Sequence, residues 1–164
     1  MKISHLVFVC LFIILVCTSV QALSFTDLTP FLIDLQGWDA EDATGMTISG
    51  PSGEMVTATR EYELGDKVLH AQIITGATAN GAWAPFMAGY SIDSAEVFLT
   101  TMTVSGYTVG VNHDKAGNSG VVVVPLTKKT THAVFALAYE GIGYEEALSL
   151  AQTFPWKDME KVLE

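Results

Sequence analysis

Cysteine is almost missing from this chain: of 164 residues only Cys10 and Cys17 are cysteine, both within the first 17 positions. The remaining chain can form no disulfide, thiolate metal site or cysteine nucleophile. Positive charge is scarce as well, with eight Lys and Arg against 18 Asp and Glu and a formal net charge of −10. Phosphate backbones and anionic membrane surfaces are held by clustered Lys and Arg, so this balance argues against nucleic acid as a partner. Linkers, internal repeats and low-complexity tracts are lacking too. There is one long hydrophobic run, and it lies at the N-terminus.

Lys2 and His5 precede apolar residues from Leu6 to Val16, and Val20-Gln21-Ala22 supplies the small residue at −1 and the compact apolar residue at −3 that signal peptidase requires. This pattern predicts an export signal over 1–22, cleaved after Ala22. The apolar stretch Leu6–Val20 has 15 residues, whereas a membrane span takes about 20, so no stable span is expected after cleavage. Lipidation at Cys17 is the less favoured alternative, because Val16 stands where such signals carry Gly, Ala or Ser. Cleavage removes both cysteines and Lys2, leaving seven basic residues against 18 acidic ones, a net charge of −11. The expected location is the periplasm or the extracellular space. The remaining 23–164 suits one α+β domain, since chains of about this size bury roughly 68–70% of the surface exposed on unfolding.

Thr29-Pro30 reads as a helix start, with Phe31, Leu32 and Leu35 as its apolar face and Gly37 as its stop. Asp39-Ala40-Glu41-Asp42 reads as an acidic loop. A short strand from Gly45 to Gly50 meets the turn Pro51-Ser52-Gly53-Glu54. Alternation over 55–64 places Val56, Ala58, Arg60, Tyr62 and Leu64 on one face, and Gly65-Asp66 turns the chain into a strand over 67–75. Gly76 to Gly81 reads as a small-residue connection. Trp83, Phe86, Met87 and Tyr90 then recur at helical spacing, predicting a short helix begun near Pro85. Four strands follow over 96–104, 107–113, 120–126 and 132–139, and the short turns between them, Lys128-Lys129-Thr130 among them, require antiparallel pairing. A helix over 141–153 carries Glu145 and Glu146 in its first turn, where the dipole favours them, and Pro155 opens one further helical turn. The expected architecture is α+β: an antiparallel sheet of about six to seven strands flanked by an N-terminal helix, a short middle helix and a C-terminal helix.

Catalytic chemistry finds little support. His70, His113 and His132 are dispersed and lack metal-ligand spacing, so no metal site is expected. Gly89-Tyr90-Ser91-Ile92-Asp93 lacks the second glycine of a nucleophile elbow, and Ser91 and Asp93 read as a helix cap. Counted from Asp39, an EF-hand would need an acid where Ala43 stands and a glycine where Thr44 stands. Gly76–Gly81 lacks the lysine of a phosphate-binding loop. No catalytic residue and no cofactor is predicted. Two features remain as candidate sites. The stripe Trp83, Phe86, Met87, Tyr90 is either sheet-covering core or a surface for an apolar ligand or partner. Arg60, on an otherwise apolar strand face, requires an acceptor: a structural ion pair, or an anionic ligand.

Several segments carry a resemblance: Gly53-Glu54-Met55-Val56-Thr57-Ala58-Thr59-Arg60-Glu61-Tyr62, Gly65-Asp66-Lys67, Pro85-Phe86-Met87-Ala88-Gly89-Tyr90, Glu145-Glu146-Ala147-Leu148-Ser149-Leu150-Ala151 and Phe154-Pro155-Trp156-Lys157. Together they resemble a group of small exported bacterial proteins of unassigned activity. The element order is similar to that of PsbP-like α+β domains. That resemblance implies a non-catalytic assembly or binding module and supplies no functional residues. The reading is therefore an exported, non-catalytic binding or accessory protein whose partner is an unknown protein or a small apolar or anionic ligand. The alternatives are a self-associating structural protein of the envelope and an enzyme assembled only in three dimensions.

Overall fold

The computed structural model describes residues 22–51, 53–127 and 133–164. The expected signal over 1–22 therefore lies, up to Gln21, outside the described residues, as do Lys128-Lys129-Thr130 and His132. The molecule is α+β, with one nine-stranded antiparallel sheet and four helices. The strands are β1 (Asp39–Ala40), β2 (Thr44–Gly50), β3 (Gly53–Leu64), β4 (Lys67–Thr75), β5 (Ile92–Asp93), β6 (Val97–Val104), β7 (Tyr107–Asp114), β8 (Ser119–Pro125) and β9 (Ala133–Glu140). The helices are α1 (Phe25–Leu28), α2 (Ala77–Trp83), α3 (Tyr144–Ala151) and α4 (Trp156–Leu163). Among the described residues no helix is long and apolar enough to cross a membrane.

The seven long strands match the seven read from alternation and turns. The sheet is wider than expected because β1 and β5, two residues each, attach to β3 and β6. Spatial order is β1-β3-β4-β9-β8-β7-β6-β5, and β2 also lies along β3. Two meanders, β2-β3-β4 and β6-β7-β8-β9, thus join where β4 pairs with β9.

Alternating side chains sort the core onto two faces. On the covered face, Val56, Ala58, Tyr62, Leu69, Ala71, Ile73, Phe135 and Leu137 pack with Leu28 of α1, Ala147 and Ala151 of α3 and Trp156 and Met159 of α4. On the open face, Ile74, Val123, Val134 and Ala136 meet Ala79 of α2 and Phe86. His70, Gln72, Asn112, Val121 and Ala138 also point to that face and remain half-buried.

Several expectations need correction. The first helix begins earlier than Pro30, because Ser24 caps it: the Ser24 hydroxyl accepts from Thr26, and Asp27 accepts from the Ser24 N–H at 2.8 Å. Pro30 instead sits in a 3₁₀ turn, Thr29–Phe31, and Leu32 and Leu35 are buried in irregular chain. The acidic stretch at 39–42 is partly strand β1. Gly76–Gly81 is largely helix: alanines favour helix intrinsically, Ala79 buries against the sheet, and Gly76 at φ +75° makes the entry. The helix placed near Pro85 is a 3₁₀ turn, Ala84–Phe86. Asp93 belongs to β5. The final helical turn after Pro155 extends to the eight-residue α4. Leu64 is exposed, because it ends β3 beside the Gly65-Asp66 turn, beyond the helices.

Candidate functional site

The long strands pair along most of their lengths except at one place. β7 and β8 are bonded from Gly110↔Val123 to Asp114↔Ser119 and no further. β8 continues along β9 as far as Pro125↔Val134. A local cause is visible in the sequence. The Leu126 N–H donates to Ala133 O on β9 at 2.9 Å; since successive residues of a strand face opposite neighbours, Pro125 turns its nitrogen towards β7. Proline has no N–H there to give. The two strands part, and the fork holds a cavity of about 560 Å³.

Several elements build its wall. β7 contributes Tyr107 and Thr108, β8 contributes Pro125, and Leu126 and Thr127 follow it; Ser105 and Gly106 come from the β6–β7 turn. Trp83 closes one side from the end of α2, and Lys157 and Glu160 close another from α4. The turn is tight, with Ser105 at φ 52° and Gly106 at φ 85°, as a two-residue hairpin requires.

Two layers hold these groups. Phe86 is buried above Gly110, where a Cβ would lie 2.5–2.7 Å from the phenyl ring. Glycine there is the socket for the ring. Trp83 leans on Phe86 at 5.2 Å between centroids, so the buried phenyl positions the half-buried indole. On the other side the Tyr107 hydroxyl donates to Glu160 Oε2 at 2.7 Å, and its ring meets Trp156 edge-on at 5.6 Å. Burial, followed by the bond to the Glu160 carboxylate, pushes the Tyr107 phenol up to about 12. Tyr107 is thus a fixed neutral donor, committed to Glu160. The Trp156 indole nitrogen is buried beside it and has no hydrogen-bond partner among the described residues.

The charge pattern of the cavity is unusual for this chain. Arg60, Lys67, Lys115 and Lys161 each pair with a carboxylate. Among the described residues Lys157 is the one Lys or Arg without an ion pair. It stands on the cavity wall, on an exposed turn of α4.

The residues singled out in the sequence are dispersed. Trp83 lines the cavity, and Phe86 supports it from the core. Met87 and Tyr90, at 73% and 71% exposure, project from the chain after the 3₁₀ turn and do not join the wall. The helical stripe does not exist, because the helix ends at Trp83. Arg60 lies on β3, with β4, β9 and β8 between it and β7. Its guanidinium donates to Glu41 O (2.7 Å), Leu32 O (2.7 Å) and Asp34 Oδ1 (2.6 Å). This clamp ties the chain after α1 to the sheet. Asp34 and Asp42 beside it oppose capture of an anion.

Elsewhere, His70 Nδ1 faces Glu61 Oε2 at 3.4 Å, and His113 Nδ1 bonds the Tyr139 hydroxyl at 3.1 Å within the core. Ser91 bonds Thr100, and Asp93 holds Lys115. Among the described residues no three His, Cys, Asp or Glu side chains gather as a metal site would require. Sequence reasoning missed Tyr107, Pro125, Lys157 and Glu160. The proline closing a run of four valines was the available signal. Set against known proteins, the chain matches no protein-family model, no curated protein and no solved structure.

Proposed function

We propose that this protein is an exported, non-catalytic binding or accessory module, and that it receives a small amphipathic acid in the cavity at the β7–β8 fork. The observation that carries the reading is Lys157. An ammonium without an ion pair on the wall of a cavity, in a chain with ten more negative than positive charges, is suited to a carboxylate or a similar anion. Trp83 and Pro125 offer apolar contact to the rest of such a molecule. Thr108 and Ser105 add hydroxyls for orientation. A pocket of about 560 Å³ falls within the roughly 300–1,000 Å³ usual for small ligands. Tyr107 and Glu160 are bonded to each other and form part of the wall, which fits binding rather than turnover.

The test is native mass spectrometry of the protein purified gently from its producing cells, for wild type, Trp83→Ala and Lys157→Glu. The expected spectrum is the chain from Leu23 with a discrete small-molecule adduct that both substitutions remove. Adduct retention in Lys157→Glu would overturn the site. A bare wild-type mass, with no thermal stabilisation by a panel of aromatic and aliphatic carboxylates, would overturn the ligand; saturation at 100 times Kd should add about 2.7 kcal/mol.

A further inference from the structure

Four stretches of outer strand edge are unpaired among the described residues, at β1, β2, β5 and residues 100–104 of β6, and they are finished differently; that of β6 is uncharged but exposes no large apolar side chain. At β1, Asp39 and Glu41 stand with Glu61 and Glu63 around a small depression, and their like charges guard that edge. At β5, only two residues long, Lys115 pairs with Asp93 at 2.6 Å and bonds Ser94 O at 2.6 Å. Charges and short length are the usual devices that keep an edge from pairing. β2 has neither. It runs seven residues, Thr44–Gly50, with no charge and no proline, and presents Met46 at 55% and Ile48 at 48% exposure. Both project on the same face, beside Thr57 and Met55 of β3. On the other face Phe25 of α1 rests on Gly45, and its N–H donates to Thr47 Oγ1 at 3.3 Å. The strand is thereby held flat against the sheet. Among the described residues its backbone bonds to β3 alone.

We propose that β2 pairs antiparallel with β2 of a second copy, about a twofold axis at Thr47. That register overlaps all seven residues. It sets Met46 opposite Ile48 of the partner copy, twice, and Thr47 opposite its own symmetry mate, both favourable cross-strand pairs. Charge selects a second copy in this orientation. Two chains of net −10 repel over most of their surfaces, and β2 is the uncharged stretch of edge that also exposes large apolar side chains, Met46 and Ile48. Exposed charges act over about 8–10 Å at ordinary ionic strength, so local placement decides. The antiparallel arrangement carries each copy's Asp39–Asp42 past the Gly50-Pro51 end of the other. The two acidic stretches then lie at opposite ends of the interface. A parallel arrangement would set them side by side. The contact is isologous, as a closed dimer requires, and joins two nine-stranded sheets into one. It lies away from the cavity and stands independently of the function proposed above.

Sedimentation equilibrium on the purified protein tests the pairing. Wild type should run at twice the monomer mass. Met46→Lys and Ile48→Glu should each raise the dissociation constant at least about tenfold, because each sets a charge against a buried apolar side chain. The double variant M46K/I48E opposes an ammonium to a carboxylate at both ends and should recover the dimer. Both positions are about half exposed, so unchanged far-UV circular dichroism should accompany every variant. A monomeric wild type at all concentrations would overturn the proposal. So would a dimer indifferent to the single substitutions, or a double variant that fails to recover.

Discussion

On one face of the sheet α1, α3, α4 and the Leu32–Leu35 stretch close over aromatic and aliphatic side chains drawn from β3, β4, β7, β8 and β9. On the other, α2 and Phe86 cover four strand residues and leave His70, Gln72 and Asn112 half-buried. The covered face rests on aromatic contacts that reach across elements, such as Phe135 to Phe154 at 4.8 Å and Tyr62 to Phe154 at 6.2 Å. The open face has one ring in one socket, Phe86 over Gly110. Stability therefore concentrates on one side of the sheet. The candidate cavity lies where the two sides meet, at the fork, with Trp83 from the thin layer and Lys157 and Glu160 from the thick one. A site at that boundary can adjust on the Trp83 side while α4 holds the other.

The largest expected effect is on the covered face. Phe135→Ala should cost about 3–5 kcal/mol by urea denaturation, and Phe86→Ala should fall at or below the lower end of that range. An equal or larger loss at Phe86 would break the comparison. Next comes the polar clamp that fastens the covered face. Arg60→Met leaves the Leu32 and Glu41 carbonyls without their donor and should cost about 1–3 kcal/mol. Asp34→Asn should cost under about 1 kcal/mol, since the Asp34 side chain is 88% exposed and such pairs contribute little.

Alkaline pH probes two separate parts of the covered face, the Arg60 clamp and the cavity wall. Burial raises the Tyr62 phenol to about 12 against the opposing pull of Arg60, and Tyr107 reaches about 12 beside Glu160. Folding favours the protonated phenols, so their stabilisation is complete below the ordinary value of 10 and is lost as pH rises from 10 towards 12. Tyr139, raised chiefly by burial, and Tyr144, raised by its bond to Glu145, join them as late-titrating phenols in tyrosinate absorbance, and Glu160→Gln should move Tyr107 earlier while leaving Tyr62 in place. Coincident movement of both would contradict the independence of the clamp and the cavity wall. The smallest effect is expected at the exposed residues after Phe86. Met87→Ala and Tyr90→Ala should each change stability by less than about 0.5 kcal/mol in thermal melts; larger losses would mean that the open face is covered more fully than its geometry indicates.

Much of this architecture was legible in the sequence, and the unread parts share a cause. Long strands announce themselves because alternation and turn chemistry are local: Val56-Thr57-Ala58 and Gly65-Asp66 carry their meaning wherever the chain goes. β1 and β5 have no such signature, since two residues become strand only when β3 and β6 lie beside them. Gly76–Gly81 read as a connection because glycine and asparagine interrupt it, yet Ala79 packs with Ile74 and Ala136 and the sheet completes the helix. Arg60 was legible as a residue requiring an acceptor, and the ion pair reading agrees with its contacts to Asp34 and two carbonyls. The cavity was not legible. Pro125 signals that a donor is missing, but only the strand order reveals that β7 is the neighbour left without it.

The joint between the two meanders has a consequence for how the chain reaches this state. Each meander joins strands close in sequence, but the β4–β9 partners lie 58 to 72 residues apart. Contacts of that separation carry the entropy of closing a long loop before any pairing rewards it, which slows folding in proteins dominated by them. In this chain the burden falls on a single seam, Ile73 against Phe135, so the two halves can form early and wait on one docking event.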